Sequence, residues 1–251
     1  MSGARFDQFV RRRLDLVARA TGEELMDSNQ WPAPVVRKTL RFLELTNRCF
    51  GGAAVVLRRF VSWHGQRAFT ASLRILDVGT GGADVPVALI NWARPLGLDL
   101  RVTAIDSAPD IVEAARARVS RVPEITVERC SLFDLAASGR RFDIVVASLF
   151  LHHVPPSRTP DALRAIDRLA VRGVIISDLM RSPVALVAVG ALALVAGNHV
   201  VRHDGPLSVR RAFTVDELEQ LASNTGLTYL AAEREGPFRV SLSGQKDLLR
   251  A

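Results

Sequence analysis

Short apolar runs alternate with segments of helical periodicity from residue 74 to residue 177. Apolar runs of this length, bounded by turn residues, indicate strands that are buried on both faces of a sheet. Their alternation with helices predicts a doubly wound, mostly parallel α/β sheet between two helical layers. The predicted parallel strands are Arg74–Val78, Leu100–Ile105, Ile125–Arg129, Asp143–Ala147 and Gly173–Ser177. The predicted intervening helices are Val85–Arg94, Pro109–Val119 and Pro160–Leu169.

The segment after the fifth strand, Ser182–Val201, carries no charged residue and is long enough to span a bilayer. Downstream of it, a capped helix at Thr214–Thr225 and strand patterns at Leu227–Ala232 and Phe238–Ser243 complete a seven-stranded, Rossmann-like sheet. A membrane span would separate these last strands from the first five. We therefore expect no transmembrane span. The segment is predicted to form an apolar lid helix between strands five and six, in an insert at about 182–204, or a contact of a homodimer.

The residues before the first strand are predicted to form a helical cap, 1–70, in front of the α/β domain, 71–251. Helical periodicity and a cluster of turn residues divide the cap. Its predicted elements are helices at 5–20, Val35–Phe50 and Ala53–Phe69, with a linker at Glu24–Pro34. The pair Asn47-Arg48 is a candidate polar contact to a ligand.

Composition narrows the class of protein. Hydrophobic residues make up 48% of the sequence and charged residues 24%, as in globular chains. The two cysteines, Cys49 and Cys130, lack the spacing of a metal site or redox pair, and residues 1–20 lack a secretory pattern, so we expect a cytoplasmic protein. The net charge of +7 comes from dispersed arginines, with Arg11–Arg13 the only run of three. A nucleic-acid partner is therefore not expected.

The segment Leu73–Ile90 organises the chain, because a strand there ends in an acid, a glycine-rich loop follows, and a helix begins. Asp84 is the predicted N-cap of that helix. Glycines let a ligand approach backbone N–H groups closely. A dinucleotide fingerprint starting at Gly79 would require glycine at position 84, where a carboxylate would instead repel a pyrophosphate. S-adenosylmethionine, which carries a cationic sulfonium and no phosphate, suits such a loop.

This loop resembles the first motif, acid-x-Gly-x-Gly-x-Gly, of the class I S-adenosylmethionine-dependent methyltransferases. Asp77, Gly79 and Gly81 match the motif, whereas Ala83 replaces its third glycine. The resemblance covers roughly residues 73–243. It implies S-adenosylmethionine as cofactor, S-adenosylhomocysteine as product and no metal.

Ligands of such sheets bind at the carboxyl ends of the strands. Asp106 ends the second strand, where it can accept hydrogen bonds from both ribose hydroxyls. After the third strand, Asp134 matches the acid that binds the adenine amino group in these methyltransferases, with apolar neighbours stacking on the ring. The predicted cofactor-binding residues are Asp77, Gly79, Thr80, Gly81, Asp84, Asp106, Ser107, Ser131, Leu132, Phe133, Asp134, Leu135 and Ser148.

The segment after the fourth strand, Ser148–Val154, is similar to that of small-molecule methyltransferases of the ubiquinone and menaquinone biosynthesis type. It lacks the Asn/Asp-Pro-Pro-Tyr/Phe tetrad and the Pro-Cys pair of the base methylases. The similarity and the apolar insert imply O-methylation of an apolar phenolic, quinone-like or polyketide metabolite. His152 and His153 are the predicted catalytic bases, because an imidazole can accept the proton of a phenol. The predicted substrate-binding residues are Phe150, Asp178, His199, His203 and Arg211.

Other functions stay open at this point. An RNA or protein acceptor would require Arg11–Arg13 and Arg210–Arg211 to form one basic face, with binding that weakens steeply with salt. A non-catalytic, membrane-associated binding protein with a methyltransferase-like fold would account for Ala83 and for the apolar segment. If the acceptor is an amine or an acidic ring carbon, no base is needed.

Overall fold

A computed structural model describes residue 12 and residues 14–28, 31–65, 72–196 and 198–246. Its centre is one seven-stranded sheet. The strands are β1 Ser72–Val78, β2 Asp99–Asp106, β3 Ile125–Arg129, β4 Phe142–Ser148, β5 Ala170–Leu179, β6 Ala231–Glu235 and β7 Arg239–Gln245. Their spatial order is β3-β2-β1-β4-β5-β7-β6, with β1 to β5 parallel and β7 antiparallel to both of its neighbours. The predicted Rossmann-like, mostly parallel sheet is confirmed.

Helices cover both faces of this sheet. The helices are α1 Ala33–Cys49, α2 Gly52–Gly65, α3 Asp84–Ala93, α4 Pro109–Val119, α5 Leu132–Ala137, α6 Thr159–Leu169, α7 Pro183–Val195, α8 His199–Arg211 and α9 Val215–Asn224. Short 3-10 turns lie at Leu25–Ser28, Arg94–Leu96, Leu151–His153 and Pro156–Arg158.

The core consists of two apolar layers, because successive side chains of a strand point to opposite faces of the sheet. In β1, Ile75 belongs to a buried cluster that includes side chains of α2 and α3. The next residue, Leu76, belongs to a cluster on the other face, together with side chains of α6 and α9. With both faces covered, the carboxyl edge of the parallel strands is where a ligand can reach the sheet.

The N-terminal region differs from the prediction. Residues 14–20 are turns and irregular chain rather than the end of a helix at 5–20, and residues 5–11 and 13 of that prediction lie outside the described residues. Asp15 has a φ of 55°, in the left-handed region, which ends helical geometry there. The irregular path buries Leu16 and lets Ala20 N donate to Arg210 O at 3.0 Å. The predicted third helix ends at Gly65, beyond which residues 66–69 are not described.

An apolar helix does lie between β5 and β6, but it is shorter than predicted, because Ser182–Val201 forms α7 and the start of a second helix, α8. Asn198 starts the second of them, and its side chain accepts a hydrogen bond from Val200 N at 3.0 Å, as an N-cap does. The polar residues that follow continue this helix to Arg211. None of the described helices combines the length and the apolar character needed to cross a bilayer. The predicted dimer contact stays a prediction.

The last two strands also differ in extent from the predicted ones. β6 begins at Ala231, so residues 227–230, predicted as strand, instead form the turn after α9. The division between cap and α/β domain at residue 70 stays a prediction. Phe60 and Trp63 of the N-terminal region are buried in the same cluster as Ile75, so α2 forms part of a helical layer of the sheet.

Candidate functional site

A cavity of about 540 Å³ opens above the carboxyl ends of β1, β2 and β4. This is the place where the order of the strands reverses, since β1 has β2 on one side and β4 on the other. α1 covers the cavity with Leu40 and Asn47. From the insert, Val189 of α7 and Val201 of α8 also line it.

The glycine loop after β1 forms one wall of the cavity. Gly79 and Gly81 have φ of +65° and +53°, where side chains are strained. A Cβ on Gly79 would lie 2.6 Å from Cδ2 of Phe150, whereas a Cβ on Gly81 would meet nothing within 4 Å. Ala83, not Asp84, is the N-cap residue of α3, and it adopts a left-handed φ of 58°. The predicted capping role of Asp84 is therefore wrong, and its carboxylate instead accepts from Nδ2 of Asn47 at 3.0 Å.

Three carboxylates line this part of the cavity, at Asp77, Asp84 and Asp106. Oδ2 of Asp106 accepts from Gly81 N and Oδ1 from Ala108 N, both at 3.1 Å. Burial raises the pKa of Asp106. Burial also raises the pKa of Asp77 to about 7, and the neighbouring carboxylates add to the rise. The wall attracts a cation and repels a phosphate.

The segment after β3 reaches the cavity with only part of the predicted set. Ser131, Leu132 and Phe133 line the cavity, as does Ser107 after β2. Asp134 is exposed, and its Oδ2 accepts from Oγ of Ser131 at 2.7 Å. Ser131 is the N-cap of α5, which turns Asp134 away from the cavity, and Leu135 is buried in the core. The predicted adenine contacts of Asp134 and Leu135 are therefore not supported by their positions.

After β4, a 3-10 turn carries the two adjacent histidines to the cavity wall. His152 is buried, and its Nδ1 lies 2.6 Å from Oδ1 of Asp178. The backbone N–H of His152 donates to the other carboxylate oxygen at 3.0 Å. Burial opposes ionisation of Asp178, but His152 and the backbone N–H groups outweigh it and lower its pKa. Asp178 is thus ionised behind His152 and does not line the cavity, contrary to its predicted contact with substrate.

His153 is held by two acids from the N-terminal region. Its Nδ1 lies 3.1 Å from Oδ1 of Asp27 and 3.8 Å from Oε2 of Glu24. Burial lowers the pKa of His153, but these carboxylates outweigh it and raise the pKa to about 9. Glu24 is itself buried, and its Oε1 lies 3.8 Å from Nε2 of His152 and has no hydrogen-bond partner in the described part of the chain.

Arg211 holds the same turn through hydrogen bonds to its backbone carbonyl oxygens. Its Nε donates to the carbonyl oxygen of His152 at 3.0 Å and its Nη2 to that of His153 at 2.7 Å. Arg211 is buried and does not line the cavity. Its position therefore supports a role in holding the histidines rather than the predicted contact with substrate.

The other predicted substrate contacts lie apart from the cavity wall, with one exception. His199 packs edge-on against Trp31, with ring centroids 5.2 Å apart. His203 is half-exposed, and its Nδ1 lies 2.8 Å from Asp204. Phe150 does line the cavity, beside Ser148, whose buried Oγ has no hydrogen-bond partner among the described residues.

Sequence reasoning missed three side chains of this site. Glu24 was placed in a linker, and Arg19 and Arg239 were not singled out. Arg19 donates to the carbonyl oxygen of Val154 at 3.3 Å, and Arg239 lines the cavity. No motif marks them, because each reaches the site from a distant part of the chain.

Comparison with known proteins agrees with this geometry. Residues 75–173 match the family model of a methyltransferase domain. This match identifies residues 75–173 as a methyltransferase domain, and together with the strand order and the glycine loop it supports the class I S-adenosylmethionine-dependent family predicted from the sequence.

Curated relatives resemble this chain in sequence, and solved structures resemble it in fold. The ubiquinone biosynthesis O-methyltransferase of Xanthomonas oryzae pv. oryzae is 35% identical over 137 residues, which are 53% of this chain and 52% of that protein. The chain thus matches about half the length of these curated relatives. The plantazolicin methyltransferase BamL superposes with a TM-score of 0.64 at 12% identity, over 95% of this chain and 98% of that one. A second plantazolicin methyltransferase, BpumL, superposes with a TM-score of 0.63 at 12% identity, over 83% of this chain and 90% of that one. Both show that the fold is shared.

Proposed function

We propose that the protein transfers the methyl group of S-adenosylmethionine to a hydroxyl of an apolar small molecule, such as a phenolic, quinone-like or polyketide metabolite. The contact between His152 Nδ1 and Asp178 Oδ1, 2.6 Å, carries this proposal, because it provides a base beside the cavity. The name of the Xanthomonas relatives, ubiquinone biosynthesis O-methyltransferase, supports oxygen as the atom methylated.

The cavity fits the proposed cofactor. Asp106 has spare acceptor capacity on both oxygens for the ribose hydroxyls, since each oxygen receives one backbone N–H. The open side of Gly81 lets a ligand approach the loop, and Asp77 and Asp84 supply negative charge for an ammonium group. S-adenosylmethionine supplies a methyl group on a sulfonium, which is already electrophilic.

His152 is the proposed base. Because an ionised Asp178 accepts from Nδ1, the neutral imidazole carries its proton there, and Nε2 is left as the basic nitrogen. A hydroxyl that donates to Nε2 gives up its proton to His152 as it is methylated, and Asp178 stabilises the imidazolium that forms. His153 has a pKa of about 9, so it is a cation at neutral pH and a poor base.

The acceptor side of the cavity supports an apolar molecule. Leu40, Phe42 and Phe50 line it from the N-terminal region, and Val189 and Val201 line it from the insert. These side chains exclude water from the reacting atoms, which favours methyl transfer over hydrolysis. An RNA acceptor gains no support from the described arginines, since Arg211 is buried, while Arg11 and Arg13 lie outside the described residues.

The test is methyl transfer from labelled S-adenosylmethionine to a panel of catechols, phenols and hydroquinones. We expect label in an O-methyl product with the wild-type protein and at least a hundredfold less with His152→Ala, as is typical for loss of a general base. Titration with S-adenosylhomocysteine should show similar affinity for both proteins. Cofactor binding without label in any hydroxyl acceptor, or label in RNA or protein instead, would contradict the proposal.

A further inference from the structure

Arg239, the first residue of β7, places a buried guanidinium on the wall of the cavity. Among the described residues, every acceptor of a hydrogen bond from this side chain is a neutral group. Nε donates to the carbonyl oxygen of Phe50 at 3.0 Å, Nη2 to Oδ1 of Asn47 at 2.6 Å, and Nη1 to Oγ of Ser177 at 3.5 Å. Three of its five N–H groups are enough for these bonds, so donors remain.

Within the described ranges this cation has no paired anion. No described carboxylate lies within ion-pair distance of Arg239, and the carboxylates that influence it, Asp178 and Asp84, act from further away. Burial lowers its pKa to about 10, which still leaves the group charged at neutral pH. Leaving a buried charge without a counter-ion is costly, and an anion in the adjoining cavity would remove that cost.

Asn47 connects this cation to an anion of the glycine loop. Its Oδ1 accepts from Arg239, while its Nδ2 donates to Oδ2 of Asp84 at 3.0 Å. One amide therefore holds a guanidinium and a carboxylate side by side on the same wall. Gly52 makes room for the arrangement, because a Cβ there would lie 2.8 Å from Cβ of Asn47 and 3.0 Å from Nη2 of Arg239.

A neighbouring cation and anion on one wall are complementary to a zwitterion, whose carboxylate and ammonium groups are joined by a single carbon. We infer that Arg239, held by Asn47, binds the α-carboxylate of the methionyl part of S-adenosylmethionine, and that Asp84 binds the adjacent ammonium group. The assignment rests on the proposed function only for the cofactor and not for the acceptor. A carboxylate on the acceptor is the other source of the same chemistry, but it would leave Asp84 without an ammonium partner.

The test compares two nucleosides that differ in the amino-acid group. S-adenosylhomocysteine carries the zwitterion, and 5′-methylthioadenosine has the same adenosyl thioether without it. We expect Arg239→Met to weaken S-adenosylhomocysteine binding roughly tenfold to a hundredfold, the loss of a charge-assisted hydrogen-bond pair, and to leave 5′-methylthioadenosine within about twofold. Arg239→Lys should keep part of the affinity. Isothermal titration measures all three proteins.

Arg118 provides a matched control, because it lines the same cavity but is already paired with both oxygens of Glu44 at 2.7 Å. Arg118→Met should leave the ratio of the two affinities unchanged. The melting temperature separates binding from structure. If Arg239 serves the ligand, Arg239→Met without ligand melts at or above the wild-type temperature, and only the rise caused by S-adenosylhomocysteine shrinks.

Several results would overturn the assignment. Equal losses for both nucleosides, or a lower melting temperature with unchanged S-adenosylhomocysteine affinity, would make Arg239 a structural residue. Unchanged cofactor affinity with weaker binding of an acidic acceptor would move its carboxylate to the acceptor. Wild-type protein that binds neither nucleoside would contradict the proposed function itself, and this assignment with it.

Discussion

Nδ1 of His152 lies 2.6 Å from Oδ1 of Asp178, and this contact joins the loop after β4 to the end of β5. Asp178 is buried and ionised, and its second oxygen accepts from the backbone N–H of His152. The carboxylate therefore fixes both the position and the tautomer of the ring. The neighbouring His153 has acids from the N-terminal region as partners instead, and they raise its pKa to about 9, so His153 is a cation at neutral pH.

Asp178→Asn should lower methyl transfer about a hundredfold or more, because an amide of the same shape cannot stabilise the imidazolium of His152. Cofactor affinity should stay the same, since Asp178 does not line the cavity. Single-turnover transfer to a hydroxyl acceptor and titration with S-adenosylhomocysteine measure the two effects. Asp167→Asn is the control, because Asp167 pairs with Tyr229 and Lys246 elsewhere. A wild-type rate for Asp178→Asn would remove His152 as the base.

Glu24→Gln should lower the pKa of His153 from about 9 towards its usual value, because one of the two carboxylates that raise it is replaced by a neutral amide. The carbon-bound ring protons of His153, followed by NMR from pH 5 to pH 10, report the pKa directly. Glu23→Gln is the control, since Glu23 is exposed next to it in the sequence. An unchanged titration of His153 in Glu24→Gln would show that Asp27 alone sets its charge.

The same pairing makes stability depend on pH. The pKa of His153 is raised on folding, so its contribution is complete below about pH 6.5 and is lost as the pH rises through about 9. Wild-type protein should therefore exceed Glu24→Gln in stability most at pH 6, and the difference should shrink by pH 10. Urea unfolding at the two pH values measures this. A difference that grows with pH would contradict the ion pair.

The positions of the strands could be predicted because each depends on a local signal. A short apolar run marks β1, and the spacing of Asp77, Gly79 and Gly81 marks the loop after it. The break between α7 and α8 also has a local signal, since Gly197-Asn198 is a sequence typical of a helix end and a new N-cap. Because the whole segment is uncharged, its composition favours one continuous apolar helix over a helix end at this position.

The side chains that hydrogen-bond to the residues of the cavity wall could not be predicted, because these contacts join distant parts of the chain. Arg239 and Asn47 are 192 residues apart, and Arg211 and His152 are 59 apart. For Asp134 the sequence predicts a contact that its position does not support. It occupies a position that matches a motif, but Ser131 caps α5 and binds its carboxylate at the protein surface.

Gly79→Ala should destabilise the protein more than Gly81→Ala. Both replacements place alanine at a left-handed φ, which costs about 1–2 kcal/mol. At Gly79 the new Cβ also lies 2.6 Å from the ring of Phe150, and relieving that contact costs about 1–3 kcal/mol more. Urea unfolding measures the difference. In the background of Phe150→Ala the extra cost at Gly79 should disappear, and its persistence would show that the backbone, not the ring, is responsible.

Affinity for S-adenosylmethionine should rise with pH around the pKa of Asp77. Burial raises that pKa from 3.8 to about 7, so the ionised fraction rises about tenfold between pH 6 and pH 8, and the proposed ammonium contact strengthens with it. For the free protein the sign is opposite: stability falls as the pH rises from 3.8 to 7, because the folded carboxyl retains a proton that the unfolded chain releases. Asp77→Asn should flatten the pH dependence of the affinity for S-adenosylmethionine. The affinity of wild-type protein for 5′-methylthioadenosine, which lacks the ammonium group, should depend little on pH. Titration at pH 6, 7 and 8 measures each case. A wild-type affinity for S-adenosylmethionine that is constant or falls over this range would mean that Asp77 does not face the cation.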